Sequence, residues 1–109
     1  MKYRLLPAAC AALGLTAQPA LAADPVAGKK KVSTTCAVCH GLNGIAKLPE
    51  APHLAGENAQ YIIKQLKAFK SGERKSPQMS IVAQGLSDED MANVAAWFAG
   101  LKISVEMPE

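Results

Sequence analysis

The chain has 109 residues, enough for one compact domain and short of two ordinary ones, which run to roughly 100 to 200 residues each. Its 12 basic and 9 acidic side chains leave a formal charge of +3, neither large nor gathered into one block, which excludes the electrostatic footprint of a nucleic-acid binder. A hydrophobic content of 50% excludes a disordered acidic chain, and three Cys, an odd number, exclude a disulfide framework.

Residues 1–22 read as a secretory signal: Lys2 and Arg4 form a positive start, Leu5 to Ala17 an apolar stretch, and Ala20-Leu21-Ala22 a small-x-small cleavage site. Cleavage after Ala22 takes 22 of the 109 residues and leaves 87, a single domain over 23–109. The apolar stretch is shorter than the ~20 residues that span a bilayer, so the mature protein is expected to be soluble. A rival reading makes Cys10 a lipid-modified N-terminus, although Pro7-Ala8-Ala9 lacks the Leu usual at the third position before such a Cys. Losing Lys2 and Arg4 lowers the basic count from 12 to 10 against 9 acidic side chains, so the mature net charge is +1. Cys10 leaves as well, and the pair Cys36 and Cys39 remains in an exported chain, where thiols tend to be oxidised or bound.

Three helices are predicted along the rest. The first runs from about Pro25 to Thr35, with Asp24 as cap and Pro25 at a favoured first-turn position. The second runs from about Asn58 to Lys70, where Ile62, Leu66 and Phe69 recur at helical spacing before Ser71-Gly72 stops it. The third, from about Asp88 to Lys102, has Ser87 and Asp90 in capping-box positions and an apolar arc of Met91, Val94, Ala95, Trp97, Phe98 and Leu101. Between them lie two Gly- and Pro-rich stretches, Gly41 to Gly56 and Gly72 to Gly85, read as long loops of the kind that carry function. No stretch alternates like a strand. With so few aromatic residues, three helices and long loops make a thin core for a domain of this size, and something besides side chains is expected at its centre.

Cys36-Ala37-Val38-Cys39-His40 supplies a candidate. In Cys-x-x-Cys-His the two thiols lie one helical turn apart and can add across the two vinyl groups of a haem, with the neighbouring imidazole placed to bind the iron. A redox-active thiol pair, a zinc site completed by His53 and further ligands, and a plain disulfide are the alternatives. The βαβ context of the first is absent, the second is short of ligands, and the third leaves His40 without a role.

With these residues in view, the chain resembles a class I c-type cytochrome, and within that class the monohaem cytochrome c-553 type or one half of the two-haem cytochrome c4. The resemblance runs through Ala27-Gly28-Lys29, Cys36 to Gly41, Pro52 to Gly56, Tyr61 to Phe69 and Met79 to Phe98, with Leu86-Ser87-Asp88-Glu89-Asp90 inside the last. It implies an all-α, small cytochrome c-like fold, three to five helices wrapped around one covalently attached haem c. Cys36 and Cys39 would form the thioethers, His40 would be the proximal iron ligand and Met79, in the loop before the last helix, the distal one. Met91 and Met107 are the competing thioethers, the former on the apolar arc and the latter in the tail, and His53 would make a two-His site, its plain reading being an exposed loop residue whose ring binds nothing. The family proline whose carbonyl accepts the Nδ1 proton of the ligand His falls on Pro52, with Pro49 nearby. Gly28 and Trp97 match the family's crossing of first and last helices. Lys64, Lys67, Lys70 and Lys75 line one side of the second helix and its exit, either a solvated face or a docking surface.

The function implied is that of a periplasmic one-electron carrier, not an enzyme, working between other periplasmic redox proteins or membrane oxidase and reductase complexes as a monomer or weak dimer. The rival readings are a dedicated haem subunit of a periplasmic dehydrogenase or oxidase complex and a haem enzyme or sensor with an open sixth iron position. Two ionised haem propionates would take the mature charge of +1 to about −1, so docking preference would depend on how charge is distributed around the haem edge.

Overall fold

Asp24 starts the first helix, α1 (Pro25–Thr35), by accepting hydrogen bonds from the backbone N–H groups of Val26 and Ala27 at 2.9 and 3.2 Å, while Pro25 occupies a position whose N–H would have no helical partner. The computed structural model that shows this describes Gly14 and residues 22–109; the expected signal segment, Cys10 included, otherwise lies outside the described residues. A single turn, α2 (Ala37–His40), follows almost without a break, because the N–H of Cys36 still bonds Val32 O at 2.9 Å and that of His40 bonds Cys36 O at 3.0 Å. Gly41, at φ +74°, turns the chain away, and a Cβ there would lie 2.3 Å from Ile45 O.

Helix α3 (Ala59–Ser71) is capped by Asn58, whose side chain accepts from Tyr61 N at 3.1 Å, and it ends at Gly72 in the left-handed conformation, φ +82°. The stretch read as a second long loop is more ordered than expected: it holds a short helix, α4 (Met79–Val82), and a 3-10 turn over Ala83–Gly85. Helix α5 (Asp88–Gly100) begins with the reciprocal capping box, Asp90 N donating to Ser87 Oγ at 3.0 Å and Ser87 N to Asp90 Oδ2 at 3.1 Å. It stops at Gly100, two residues before the expected Lys102, because Leu101 is already extended.

Three helices build the core. Helix α1 packs most extensively on α5, and α3 packs on the same helix from another side. Val32, Ile62, Leu66, Leu86, Met91, Val94, Ala95 and Phe98 form one buried cluster, each large side chain contributing about 1.5 to 3 kcal/mol of burial. At the α1–α5 crossing Gly28 is required: a Cβ on it would lie 1.9 Å from Asn93 O. Asp24 N donates to Asn93 Oδ1 at 2.8 Å and Lys31 meets Asp90 at 3.5 Å across the same crossing. Trp97 closes it, with its Nε1–H on Leu42 O at 2.8 Å and Lys29 Nζ 5.4 Å from its ring centroid. The architecture is all-α.

Candidate cofactor site

The α2 turn follows from its sequence position. Continuing α1 by one turn after Cys36 keeps Cys36, Cys39 and His40 on a rigid element at the edge of the core, with both Cys half-buried and His40 buried. No disulfide joins the two thiols. Burial pushes the Cys36 thiol up to about 11, a rise that the neighbouring Lys31 opposes and Cys39 reinforces, which favours the neutral thiol over the thiolate that a redox catalyst uses.

His40 has a defined tautomer. Its Nδ1 lies 2.9 Å from Pro52 O, and because a carbonyl only accepts, Nδ1 carries the proton and the lone pair is left on Nε2. The imidazole is thereby both oriented and made a better electron donor. The carbonyl it meets is that of Pro52 and not of Pro49. The segment that delivers Pro52 is knitted by backbone bonds: Lys47 N to Cys39 O at 2.8 Å, Leu54 N to Gly44 O at 2.7 Å and Ala55 N to Gly44 O at 3.1 Å. A Cβ on Gly44, at φ +72°, would lie 2.5 Å from Ala55 N, so a glycine is what lets these two strands of the loop approach.

His53 differs from its expectation as an idle loop residue. Its Nδ1 accepts from Ala46 N at 2.8 Å, helping to fold the loop. In a neutral ring that bond puts the proton on Nε2, so neither nitrogen has a lone pair free for a metal. Among the described residues no three or more His, Cys, Asp or Glu converge as a metal-binding group, which leaves a Cys-based zinc site without its further ligands.

Met79, on α4, faces the same space as the Cys-x-x-Cys-His turn. A cavity of about 400 Å³ is lined by Cys36, Cys39, His40, Pro52, Met79 and the apolar side chains of Leu54, Ile62, Leu66, Phe69 and Val82. Its volume lies within the range of roughly 300 to 1,000 Å³ typical of ligand and cofactor pockets. Met91, the competing thioether, is fully buried at 0% exposure within the helical core, and Met107 stands in the exposed tail. The donor set fits haem c: two thiols for its vinyl groups, an imidazole with a free Nε2, a thioether, and apolar walls for a flat macrocycle.

Two residues of this wall were not among those picked from the sequence. Arg74 reaches back from beyond α3, donating from Nη1 to Gln65 Oε1 at 2.7 Å and lying 4.6 Å from the Phe69 ring centroid, and both polar partners line the cavity. A cation immediately after a helix stop is too common to have marked it. The lysine group, by contrast, is divided by the structure. Lys70 Nζ donates to Leu86 O and Gln84 Nε2 to Lys70 O, fastening α3 to the 3-10 turn; Lys64 and Lys67 border a shallow groove with Gln60, Ile63 and Ser71; Lys75 lines the cofactor cavity. These four do not form one docking face.

Comparison with known proteins agrees with this geometry. The family model for cytochrome c matches residues 25–102. Cytochrome c4 of Pseudomonas aeruginosa is 39% identical over 106 residues, 97% of this chain but 52% of that protein. Cytochrome c-554(548) of Halomonas halodenitrificans is 42% identical over 81 residues, 72% of this chain and 96% of that protein. Among solved structures, reduced recombinant cytochrome c4 from Pseudomonas stutzeri superposes with a TM-score of 0.69 at 38% identity, covering 77% of this chain and 48% of the other. The chain thus spans about half the length of the cytochrome c4 relatives, and it carries a single Cys-x-x-Cys-His where its sequence is read from end to end. Its helices, its Cys-x-x-Cys-His turn and these matches make it a member of the cytochrome c family, a class I c-type cytochrome whose cofactor is covalently attached haem c.

Proposed function

We propose that the protein is a monohaem one-electron carrier in which Cys36 and Cys39 hold the haem, His40 and Met79 bind its iron, and Pro52 fixes the His40 ring. The observation that carries this reading is convergence: three stretches far apart in sequence, around Cys36, Pro52 and Met79, line one apolar cavity. Haem supplies an iron that cycles between the ferric and ferrous states. The chain supplies what makes that cycling simple. Cys36 and Cys39 would hold the haem through thioethers, each S–H adding across one vinyl C=C so that an S–C and a C–H bond replace them. The Pro52 carbonyl holds the Nδ1 proton of His40, so Nε2 stays available as a donor. A thioether ligand from Met79 and the apolar walls would both disfavour the additional charge of ferric iron and so raise the reduction potential. With His40 and Met79 both bound, the iron would have no position left for a substrate, which favours electron transfer over catalysis.

Residues 1–22 act as a cleaved export signal, 23–109 form the cytochrome domain, and the working compartment is the periplasm. No helix among the described residues is long and apolar enough to cross a membrane. Partners are other redox proteins that meet the haem edge briefly and over a small area, as electron-transfer encounters do.

Absorption spectroscopy of protein made with a haem-attachment system tests the assignment. The ferric form should show the weak long-wavelength band of iron–thioether ligation, and Met79→Ala should abolish it and let carbon monoxide bind the ferrous iron. A Met79→Ala protein with wild-type spectrum and carbon monoxide affinity would overturn the Met79 assignment.

A further inference from the structure

The segment that presents Met79 is held by two serines. Met79 N donates to Ser76 Oγ at 3.2 Å, and Ser76 N donates to Ser80 Oγ at 3.0 Å, while Ser80 N bonds Ser76 O at 3.1 Å. Each serine hydroxyl thus accepts a backbone N–H from the turn around Met79, a reciprocal arrangement related to a capping box. Within Ser76–Val82 these are the only hydrogen bonds made by side chains among the described residues.

This matters because α4 has little else to keep it folded. It is four residues long, and an isolated helix of that length is unstable in water, since nucleation costs more than one turn of hydrogen bonds returns. Gln78, directly before it, makes no side-chain cap bond. No residue of α4 is fully buried, and Ile81 is 75% exposed. Of its four residues Met79 and Val82 reach the cavity. The residues leading into it, Glu73 to Lys75 and Pro77 to Gln78, are exposed as well. The serine pair, the inward contacts of Met79 and Val82 and the tie of the following 3-10 turn to α3 are therefore what fix where the thioether sits, and the serines alone among them bond the Met79 turn itself through side chains.

We propose that Ser76 and Ser80 are positioning residues for the distal iron ligand, a clasp that keeps the Met79 turn closed and so sets how readily the thioether leaves the iron. The inference rests on Met79 being that ligand. A thioether is a weak ligand that an external base can replace only when its segment opens. The apparent affinity of such a base is its intrinsic affinity reduced by the closed-to-open equilibrium. Losing a serine cap of this kind shifts that equilibrium by about fivefold.

The test is imidazole titration of the ferric holoprotein, read by loss of the long-wavelength band. Ser76→Ala should bind imidazole about fivefold more tightly than wild type, Ser80→Ala should shift in the same direction by less, and Ser76→Thr, which keeps the hydroxyl, should stay near wild type. A helix cap with no bearing on the iron would lower the unfolding midpoint and leave imidazole affinity unchanged, and that result in Ser76→Ala overturns the proposal. Should Ser76→Ala fail to accumulate as holoprotein, an unchanged affinity in Ser80→Ala overturns it equally. Failure of the clasp is distinct from failure of the ligand assignment. If Met79→Ala loses the band while both serine variants titrate as wild type, the thioether binds iron without the clasp; if Met79→Ala keeps the band, the ligand assignment has fallen first.

Discussion

The two faces of α1 and its extension α2 are built on opposite rules. Where α1 crosses α5, the chain removes atoms until backbone meets backbone: Gly28 lies where a Cβ would be 1.9 Å from Asn93 O, and Asn93 Oδ1 accepts from Asp24 N. Two turns further on, around Cys36 to His40, the chain does the reverse and leaves a cavity of about 400 Å³ with apolar walls, onto which Cys36, Cys39, His40 and Met79 face. The first region is complete as protein. The second is complete only with haem, and this explains how a chain with 5% aromatic residues supports a domain of this size. The contrast teaches that stability and function are separable here, and substitutions in the two regions should fail in different ways.

The largest effect belongs to the cavity. Replacing both Cys36 and Cys39 with Ala should abolish covalent attachment altogether, so haem should be extracted from the denatured polypeptide, whereas wild type keeps it. The α1–α5 crossing has no part in that result. Covalent haem in the double variant would show that attachment does not go through these thiols.

Second in size is a change at the crossing. Gly28→Val should force the helices apart and lower stability by about 2 kcal/mol, as overpacking of a tight contact does. Denaturant unfolding of the holoprotein measures this. Under native conditions the long-wavelength band should survive, since α4 does not touch the crossing among the main helix contacts. A variant with wild-type stability would mean that the helices yield at no cost, and the proposed division between the regions would lose its basis.

The same division governs what could be read from the sequence. Asp24-Pro25, Asn58, Gly72 and the Ser87–Asp90 box are local signals, each settled within a few residues by backbone geometry, and the helix boundaries followed them to within a residue or two. Cys-x-x-Cys-His was legible for the same reason, because its spacing is that of one helical turn. Helix α4 was not, since four residues carry no periodicity and what holds them is a pair of serine hydroxyls bonded to backbone. The His53 bond to Ala46, the Lys70 bond to Leu86 and the return of Arg74 to Gln65 span 7, 16 and 9 residues and depend on how loops close, which no local pattern encodes. Met79 and Pro52 came from resemblance to a family and not from spacing; the cavity supplies the physical reason to consider them together.

The smallest effect sharpens the comparison most finely, because it concerns one carboxylate at the crossing. Asp90 is held below the usual carboxylate range, chiefly by the hydrogen bond from Ser87 N, with Lys31 adding to it and partial burial opposing it. A carboxyl whose folded value is depressed contributes stability that is present above its unfolded value and lost as pH falls through the folded one. Asp90→Asn keeps an acceptor for Ser87 N but loses the charge. It should therefore be less stable than wild type near neutrality, with the difference shrinking through the acid range until the curves meet. Salt separates the two contributions: added salt should screen the Lys31 pair, which is partly exposed, and leave the Ser87 bond in place. Parallel stability curves for wild type and Asp90→Asn at every pH would show that the charge contributes nothing, and that the capping box holds the start of α5 through neutral hydrogen bonds alone. Because Asp90 faces α1 and not the cavity, the imidazole titration of this variant should match wild type, a second point at which the two regions can be told apart.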